Sequence, residues 1–528
     1  MQVFVPIHSF QKKAKKWRVI HEQSKKPLQV EEKKEESFVV ATWKTFSKNT
    51  SIHGVHYLTE TSFNLMERVV WAFSIVLALG GMIYCCLLLS RRFANSKIST
   101  VFESTQFKVS EIPFAAVTIC NNNRINYTKT DLAVEKFVGN CSQTEKEVFI
   151  KFVQILQNQE FGSFDEFEVL RNESVVFMDH LNITEVYEFM MHDCDQFFVS
   201  CWFLDDSFDC CKLLSKQINM YGICWSFNSL TNHGNGLINR NKNYPWRSST
   251  GGSKGGLKVI MNTHPNTSID RSFVMNSNPG AMVMVGNPTE WPTNSIFVGA
   301  GSSTALSIKP TAYSTSEEVA GLEPGERQCY YNEEADEIDL MNLEGLPYMR
   351  INCMTECQQV YTKKFCGCSV GIFAPAVNYL ECNVSSLLCM SPHNDFINAY
   401  KPITKNSFFP DDEEGMECNC LPECTRVAYN VDVQPIYDEK PINKDFVLLN
   451  FYFAKSTMIK YRTDATFSWM DLMVGFGGIV SLFLGCSLLS GVEILYFTTI
   501  ALFWHRQRIK VSRMRLVEKF KAKFPFMH

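Results

Sequence analysis

Two carboxylates stand where a carboxylate is expensive. Asp471 and Glu493 are the sole charges in a 38-residue run, Phe467 to Trp504, that is otherwise apolar or small and neutral. An acid inside such a run costs at least a few kcal/mol unless it faces water or a partner, so each is a candidate for handling cations. In a symmetric oligomer each becomes a ring of carboxylates that attracts cations and repels anions. Gly475, Gly477, Gly478, Gly485 and Gly491 fall in the same run. A continuous helix of that length would be about 57 Å long against a hydrocarbon core of about 30 Å, so the run must tilt or break. Backbone that leaves the helix at that depth is tolerated only when it is buried in protein or lines water. Close helix packing is the plainer use of such glycines, and Glu493 tips the reading toward a pore.

The second chemistry is sulfur. Of 20 cysteines, Cys85, Cys86 and Cys486 lie in apolar runs and 17 lie between Cys120 and Cys424. That segregation marks an oxidising compartment for the middle of the chain. Cys353 and Cys357 sit four apart, on one face of a helix if the segment is helical. Cys418, Cys420 and Cys424 return with short spacing. An antiparallel stitch of Cys357 to Cys418, Cys353 to Cys420 and Cys329 to Cys424, with Cys366 to Cys389 and Cys368 to Cys382 nested inside, is one arrangement the spacing admits without fixing it. A zinc site also suits such spacings, but an oxidising exterior argues against it. Seventeen is odd, and Cys210 and Cys211 cannot both bond Cys201, so one of those two is the candidate free thiol.

These groups need elements to hold them. Val69 to Leu89 is a second uncharged stretch of 21 residues, and 68 residues precede it, which excludes a cleaved signal peptide. Residues 1–66 carry 11 Lys/Arg against 6 Asp/Glu and residues 505–528 carry 8 against 1. The net charge of −4 therefore hides basic ends totalling +12 and a remainder of −16. By the positive-inside rule both termini are cytosolic, with Arg506, Arg508, Lys510, Arg513 and Arg515 anchoring the second span. The expected layout is a cytosolic segment 1–66, a span at 67–90, an extracellular domain at 91–466, a span at 467–504 and a cytosolic tail at 505–528. Sequons in the loop at Asn126, Asn172, Asn182, Asn266 and Asn383, with a weaker one at Asn140, agree with that placement, while Asn49 should stay bare. Residues 1–45 are too polar to bury a core and read as a solvated tail. FKVSEIPFAAVTICN and GGLKVIMNTHPN alternate as strands do, Asn232 to Gly256 reads as a loop, and the Cys-dense stretch after Cys329 reads as a stapled helical hairpin.

The run IPFAAVTICN, then GICWSFNS, the cysteine series from Cys329 to Cys424 and GFGGIVSLFLGCSLLSGVEILYF together resemble the epithelial sodium channel, degenerin and acid-sensing channel family. PGERQCYY is most similar to the insect pickpocket branch, and the likeness spans about residues 53–504. It implies an α+β membrane protein: two transmembrane helices flanking a disulfide-rich extracellular domain with a palm-like β-sheet core and helical thumb and finger-like parts. It also implies the thumb pairings above, and Cys120 with Cys224. Gly485-Cys486-Ser487 matches the family's selectivity tract, and His53-Gly54 its gating dipeptide. Val474 falls where degenerins carry a small residue whose enlargement holds the pore open. Ala115 departs from the usual proline. Cys141 and Cys194 have no counterpart in the acid-sensing members and are candidates for an additional pair.

The function so implied is a pore-forming subunit of a homo- or heterotrimeric, amiloride-sensitive sodium channel in the plasma membrane, gated through its extracellular domain, with a chemosensory or mechanosensory role. Its partners are sodium ions, sister subunits and membrane lipid, with no cofactor, metal or nucleic acid. A two-span scavenger receptor binding lipid would share the topology but needs no intramembrane Glu and no glycine-broken second span. An ATP-gated two-span channel would need a cluster of extracellular Lys. An enzyme is excluded most firmly, because none of the 11 histidines sits in a catalytic or metal-binding pattern.

Overall fold

The computed structural model of the chain describes residues 38–95, 97–231, 244–267, 278–337, 340–373, 380–401, 414–436 and 442–501, with 503, 504, 507, 511 and 514. Most of the expected polar tail, residues 232–243 of the expected loop, and Arg506, Arg508, Lys510, Arg513 and Arg515 lie outside the described residues. Two compact units form, one of Met1–Asn95 with Phe467–His528 and one of Ser96–Thr466.

In chain order the principal elements are α1 (Phe38–Asn49), α2 (Leu65–Asn95), β1 (Ile98–Lys108), β2 (Ala116–Asn121), α3 (Gln143–Asn158), α4 (Ile183–Met190), β3 (Phe198–Phe203), β4 (Asp206–Phe208), β5 (Ser215–Asn219), β6 (Gly222–Phe227), β7 (Leu257–Asn262), β8 (Gly280–Gly286), β9 (Ser295–Gly299) and β10 (Ser303–Thr315). They continue with α5 (Arg350–Cys366), β11 (Arg426–Pro435), β12 (Phe446–Phe453), β13 (Thr457–Ala465), α6 (Trp469–Leu484) and α7 (Leu488–Tyr496).

The larger unit is built on two sheets. An eight-stranded mixed sheet runs β1-β13-β10-β12-β7-β3-β4, with β11 paired along β10. The 13 residues of β10 are long enough to take β12 beside their first half and β13 beside their second, both parallel. A five-stranded antiparallel sheet runs β5-β6-β2-β8-β9. The two share one core: Leu257, Val259 and Met261, alternate residues of β7, meet Phe451 and Phe453 of β12 and Val117 and Ile119 of β2. Every residue of central β2 is buried, whereas β7 shows the period-2 alternation of a strand covered on one face.

A second apolar core is helical. Ser142 and Glu145 close a capping box at the start of α3, whose Phe149, Phe152, Val153 and Leu156 fall at helical spacing and pack with Phe164, Phe167 and α4.

The stapled region corrects the helical-hairpin expectation. Only the outgoing arm is helical: α5 begins at Arg350 and ends on Gly367, whose φ of 74° suits glycine. The return arm around Cys418 and Cys420 is irregular and extended. Cysteines four apart on a helix are separated by about 6 Å of rise, and cysteines two apart on an extended chain by about 6.6 Å on one side. The two spacings therefore match, and the bonds are Cys353–Cys420 and Cys357–Cys418. Cys329–Cys424, Cys366–Cys389, Cys368–Cys382 and Cys120–Cys224 complete that set.

The remaining cysteines correct the sequence reading. Cys201 bonds Cys210 and Cys194 bonds Cys211, so neither member of the 210/211 pair is free and Cys194 does not join Cys141. Residues 194 and 211 flank the β3–β4 hairpin, and its antiparallel fold carries both ends to one place. Cys141 is the one cysteine of the larger unit left as a thiol among the described residues.

The smaller unit holds the apolar elements. One described helix, Leu65–Ala94, is alone long and apolar enough to cross a membrane, with a mean hydropathy of 2.4. Trp469–Leu484 and Leu488–Ile500 qualify only as a pair, bent by 70° at their break. Helices α2 and α6 run antiparallel through two glycine contacts: a methyl at Gly81 would come within 2.7 Å of Phe483, and one at Gly475 within 2.7 Å of Leu89.

His192 gives the larger unit a pH dependence. Buried at 4% exposure, its ring stacks on His264 at 4.9 Å, and desolvation, then His264 and Lys129, lower its pKa from 6.5 to about 4. An unfolded chain takes up the proton below 6.5 while the folded one refuses it, so stability is full above pH 6.5 and falls by on the order of 3 kcal/mol toward pH 4. In thermal melts of the full-length protein, His192→Leu should flatten the acid limb between pH 6.5 and 4. An unchanged limb would place the acid sensitivity elsewhere.

Candidate functional site

The break between α6 and α7 is written in the residues at helix ends. Ser468 caps α6, its hydroxyl accepting from the Asp471 N–H at 3.1 Å while the Asp471 carboxylate accepts from the Ser468 N–H and Oγ at 3.0 and 2.8 Å. The helix runs to Leu484 and stops on Gly485, which adopts φ 64°, a left-handed conformation that only glycine takes without strain. Ser487 then opens α7 as its N-cap, accepting from the Ser490 N–H. Gly485-Cys486-Ser487 thus spells stop, non-helical link and start.

A helix end inside an apolar run frees carbonyls that must find partners. Leu484 O accepts from the His53 N–H at 2.9 Å, and Ser487 O from the Gly491 N–H at 3.3 Å. No described residue donates to the carbonyls of Gly485 and Cys486. Two unclaimed carbonyl oxygens on adjacent residues of a non-helical link are the ligand type that replaces a cation's hydration shell.

The segment preceding α2 forms the seat of that link. Gly54, at φ 84°, turns the chain so that His53 lies against Gly485, leaving no room for a side chain at 485. The Ser51 N–H and Oγ both donate to Glu493 Oε2 at 3.1 Å, and Ser51 Oγ lies 2.7 Å from Ser490 Oγ, which in turn accepts from the Ser487 N–H at 3.0 Å. One unbroken hydrogen-bonded path therefore runs from the pre-helical segment through Ser490 to the link and through Ser51 to the half-buried Glu493. Aromatic contacts hold the segment in place: Tyr57 stacks on Trp71 at 4.3 Å, Phe46 meets Phe497 edge-on at 5.5 Å, and the hydroxyls of Ser47 and Thr59 are bonded.

Of the residues singled out in the sequence, His53, Gly54, Gly485, Cys486, Ser487 and Glu493 come together here. Asp471 and Val474 do not. They lie in the first turns of α6, where Asp471 is the capping partner of Ser468 and Val474 is 70% exposed. Sequence reasoning missed Ser51, Ser490 and the Leu484 carbonyl. Ser490, three residues after Ser487, was visible as a capping pair, whereas Ser51 leaves no local signal because its partner is 442 residues away.

Among the sequons, Asn172, Asn182 and Asn266 are exposed, Asn182 with its Nδ2 donating to Glu381 Oε2 at 3.1 Å, while Asn383 is half-buried with Oδ1 engaged by Ser386. Asn126 departs from the expectation: it is 8% exposed and its Oδ1 accepts from Thr128, so the folded chain hides that amide.

The chain matches the amiloride-sensitive sodium channel family over residues 46–497, and it belongs to that family, one of ion channels and not of enzymes. It is similar to pickpocket protein 19 of Drosophila melanogaster at 26% identity over 85% of this chain and 88% of the relative, and to sodium channel protein Nach of the same fly at 23% over 96% of both. A vertebrate relative, the bile acid-sensitive ion channel of Mus musculus, is 22% identical over 87% of this chain and 88% of its own.

If Ser51 acts by holding Glu493, the two changes are not independent. Ser51→Ala and Glu493→Gln should each shift the open-to-closed ratio of the expressed channel, roughly tenfold for hydrogen bonds to a charged acceptor. The double variant should shift it no further than Glu493→Gln alone. Additive shifts in single-channel recordings would uncouple them.

Proposed function

We propose that this chain is a pore-forming subunit of a trimeric, sodium-selective, amiloride-blocked channel of the plasma membrane. In this reading α2 and the broken α6–α7 pair are its two spans, both termini are cytosolic, and the larger unit is extracellular and carries glycans at Asn172, Asn182, Asn266 and Asn383. The observation that carries it is the helix break at Gly485-Cys486-Ser487, with two carbonyls unclaimed by any described residue and an acid six residues on. Three copies around an axis make those carbonyls a cation-sized belt, with Asp471 and Glu493 as carboxylate rings on either side of it. The printed names of relatives such as sodium channel protein Nach favour sodium as the ion.

Gating follows from the seat. His53 and Gly54 hold the link from the cytosolic side, and Val474 lies eleven residues before Gly485, about 16 Å along the helix, where three second spans approach in the shut state. The extracellular unit supplies the force, in response to a chemical or mechanical stimulus, in a homomer or with sister subunits.

Two recordings test this under voltage clamp. Ser487→Cys removes the hydroxyl cap that fixes the link and should raise potassium permeability relative to sodium, whereas unchanged reversal potentials after substitutions at all three positions would place the filter elsewhere. Val474→Phe cannot be accommodated in a close-packed shut pore and should give constitutive, amiloride-blocked current. A surface-delivered Phe variant that stays silent without stimulus would remove Val474 from the gate.

A further inference from the structure

The larger unit contains a cavity of about 390 Å³ that the channel chemistry does not use. It opens between α5, the stapled helix, and the turns of the five-stranded sheet around Tyr221 and Trp291. That volume falls in the range of small-molecule sites.

Its lining is chemically selective. Fifteen residues form the wall and none is charged, in a region of the sequence, residues 67–504, that carries −16. Five are aromatic and two are methionines. Seven more are Thr, Ser, Asn or Gln, and the side chains of Asn294 and Gln358 at its edge have no partner among the described residues, so the wall mixes apolar surface with neutral hydrogen-bonding groups.

The walls are held before any ligand arrives. The Trp291 backbone N–H donates to Asn352 Oδ1 at 2.8 Å and Asn352 Nδ2 donates to Thr289 O at 2.9 Å, tying the turn to the fully buried Asn352 in the first turn of α5. Tyr221 is fixed on the opposite side by the Ser295 hydroxyl, which donates to its Oη at 2.8 Å, and by Arg124 over its ring at 5.5 Å. A pre-formed site spends little of its binding energy on ordering side chains.

We propose that this cavity binds an uncharged small organic molecule with an aromatic or apolar body and one or two hydrogen-bonding groups. Charged ligands are rejected, because a charge there would lose its water and meet no opposite charge. An occupant touches Met354 and Gln358 of α5 on one side and Trp291 and Tyr221 of the sheet turns on the other, so it clamps the stapled helix to the five-stranded sheet. The site extends the channel reading by naming the class of effector that the extracellular unit admits, but its occupancy is measured without current and so stands or falls independently of that reading.

The test is photolabelling of the purified full-length protein with benzophenone, whose excited ketone inserts preferentially into methionine C–H bonds, in parallel with its 4-carboxylate and its 4-trimethylammonium analogues. Peptide mass spectrometry should find neutral benzophenone on Met354 or Met220 at least fivefold above either charged analogue. Gln358→Glu and Thr293→Lys put a charge on the partly exposed rim, and each should cut that labelling at least fivefold while leaving micelle-driven labelling of the apolar helices unchanged. Equal labelling by the charged analogues, no enrichment at either methionine, or labelling indifferent to both rim substitutions would overturn the proposal.

Discussion

The cost of ending a helix inside an apolar run governs the smaller unit. Gly485 stops α6 because its left-handed backbone is open to glycine, and Ser487 restarts the helix because a hydroxyl can satisfy an orphan N–H. The gap between them leaves polar backbone that lipid cannot solvate. Part of it is answered from within the chain, by His53 to Leu484 and by Ser490 to Ser487. The remainder, the carbonyls of Gly485 and Cys486, meets no donor among the described residues, which is what suits it to the proposed role as cation ligand. The sequence before α2 is therefore as much a part of the candidate ion pathway as the second span itself.

Glu493 belongs to the same account. A carboxylate in an apolar run needs either water or donors, and Ser51 supplies two. The arrangement couples the acid to the seat, so that any movement of the pre-helical segment changes the company Glu493 keeps. In the larger unit the matching constraint is covalent. Sulfurs four apart on α5 meet sulfurs two apart on an extended arm because the two rises agree, which ties the helix covalently to the return arm.

What could be read from the residues followed from local rules. That the run after Phe467 breaks was legible from its length and its glycines, whereas the place of the break came from the likeness to the family's tract; α5 was legible because Cys353 and Cys357 share a helix face. The helical hairpin was overread: Cys418 and Cys420 alternate as in an extended chain, and that spacing was available to see. Long-range closure hid the rest. Cys194 finds Cys211 through a hairpin whose strands are only six and three residues long, and Ser51 finds Glu493 across 442 positions, so neither leaves a period in the sequence. Asn126 carries a perfect sequon yet is turned inward by Thr128, a matter of burial that a three-residue pattern does not encode.

The central claim, that the His53 amide holds the selectivity link by bonding Leu484 O, is tested most directly by replacing that one amide with an ester. Incorporating the α-hydroxy analogue of histidine at position 53 deletes the N–H donor and keeps the side chain. Reversal potentials in sodium and potassium should then move toward each other, because the freed Leu484 carbonyl loosens the adjacent link. Sodium-to-potassium permeability and open probability both identical to those of the all-amide channel would contradict the account.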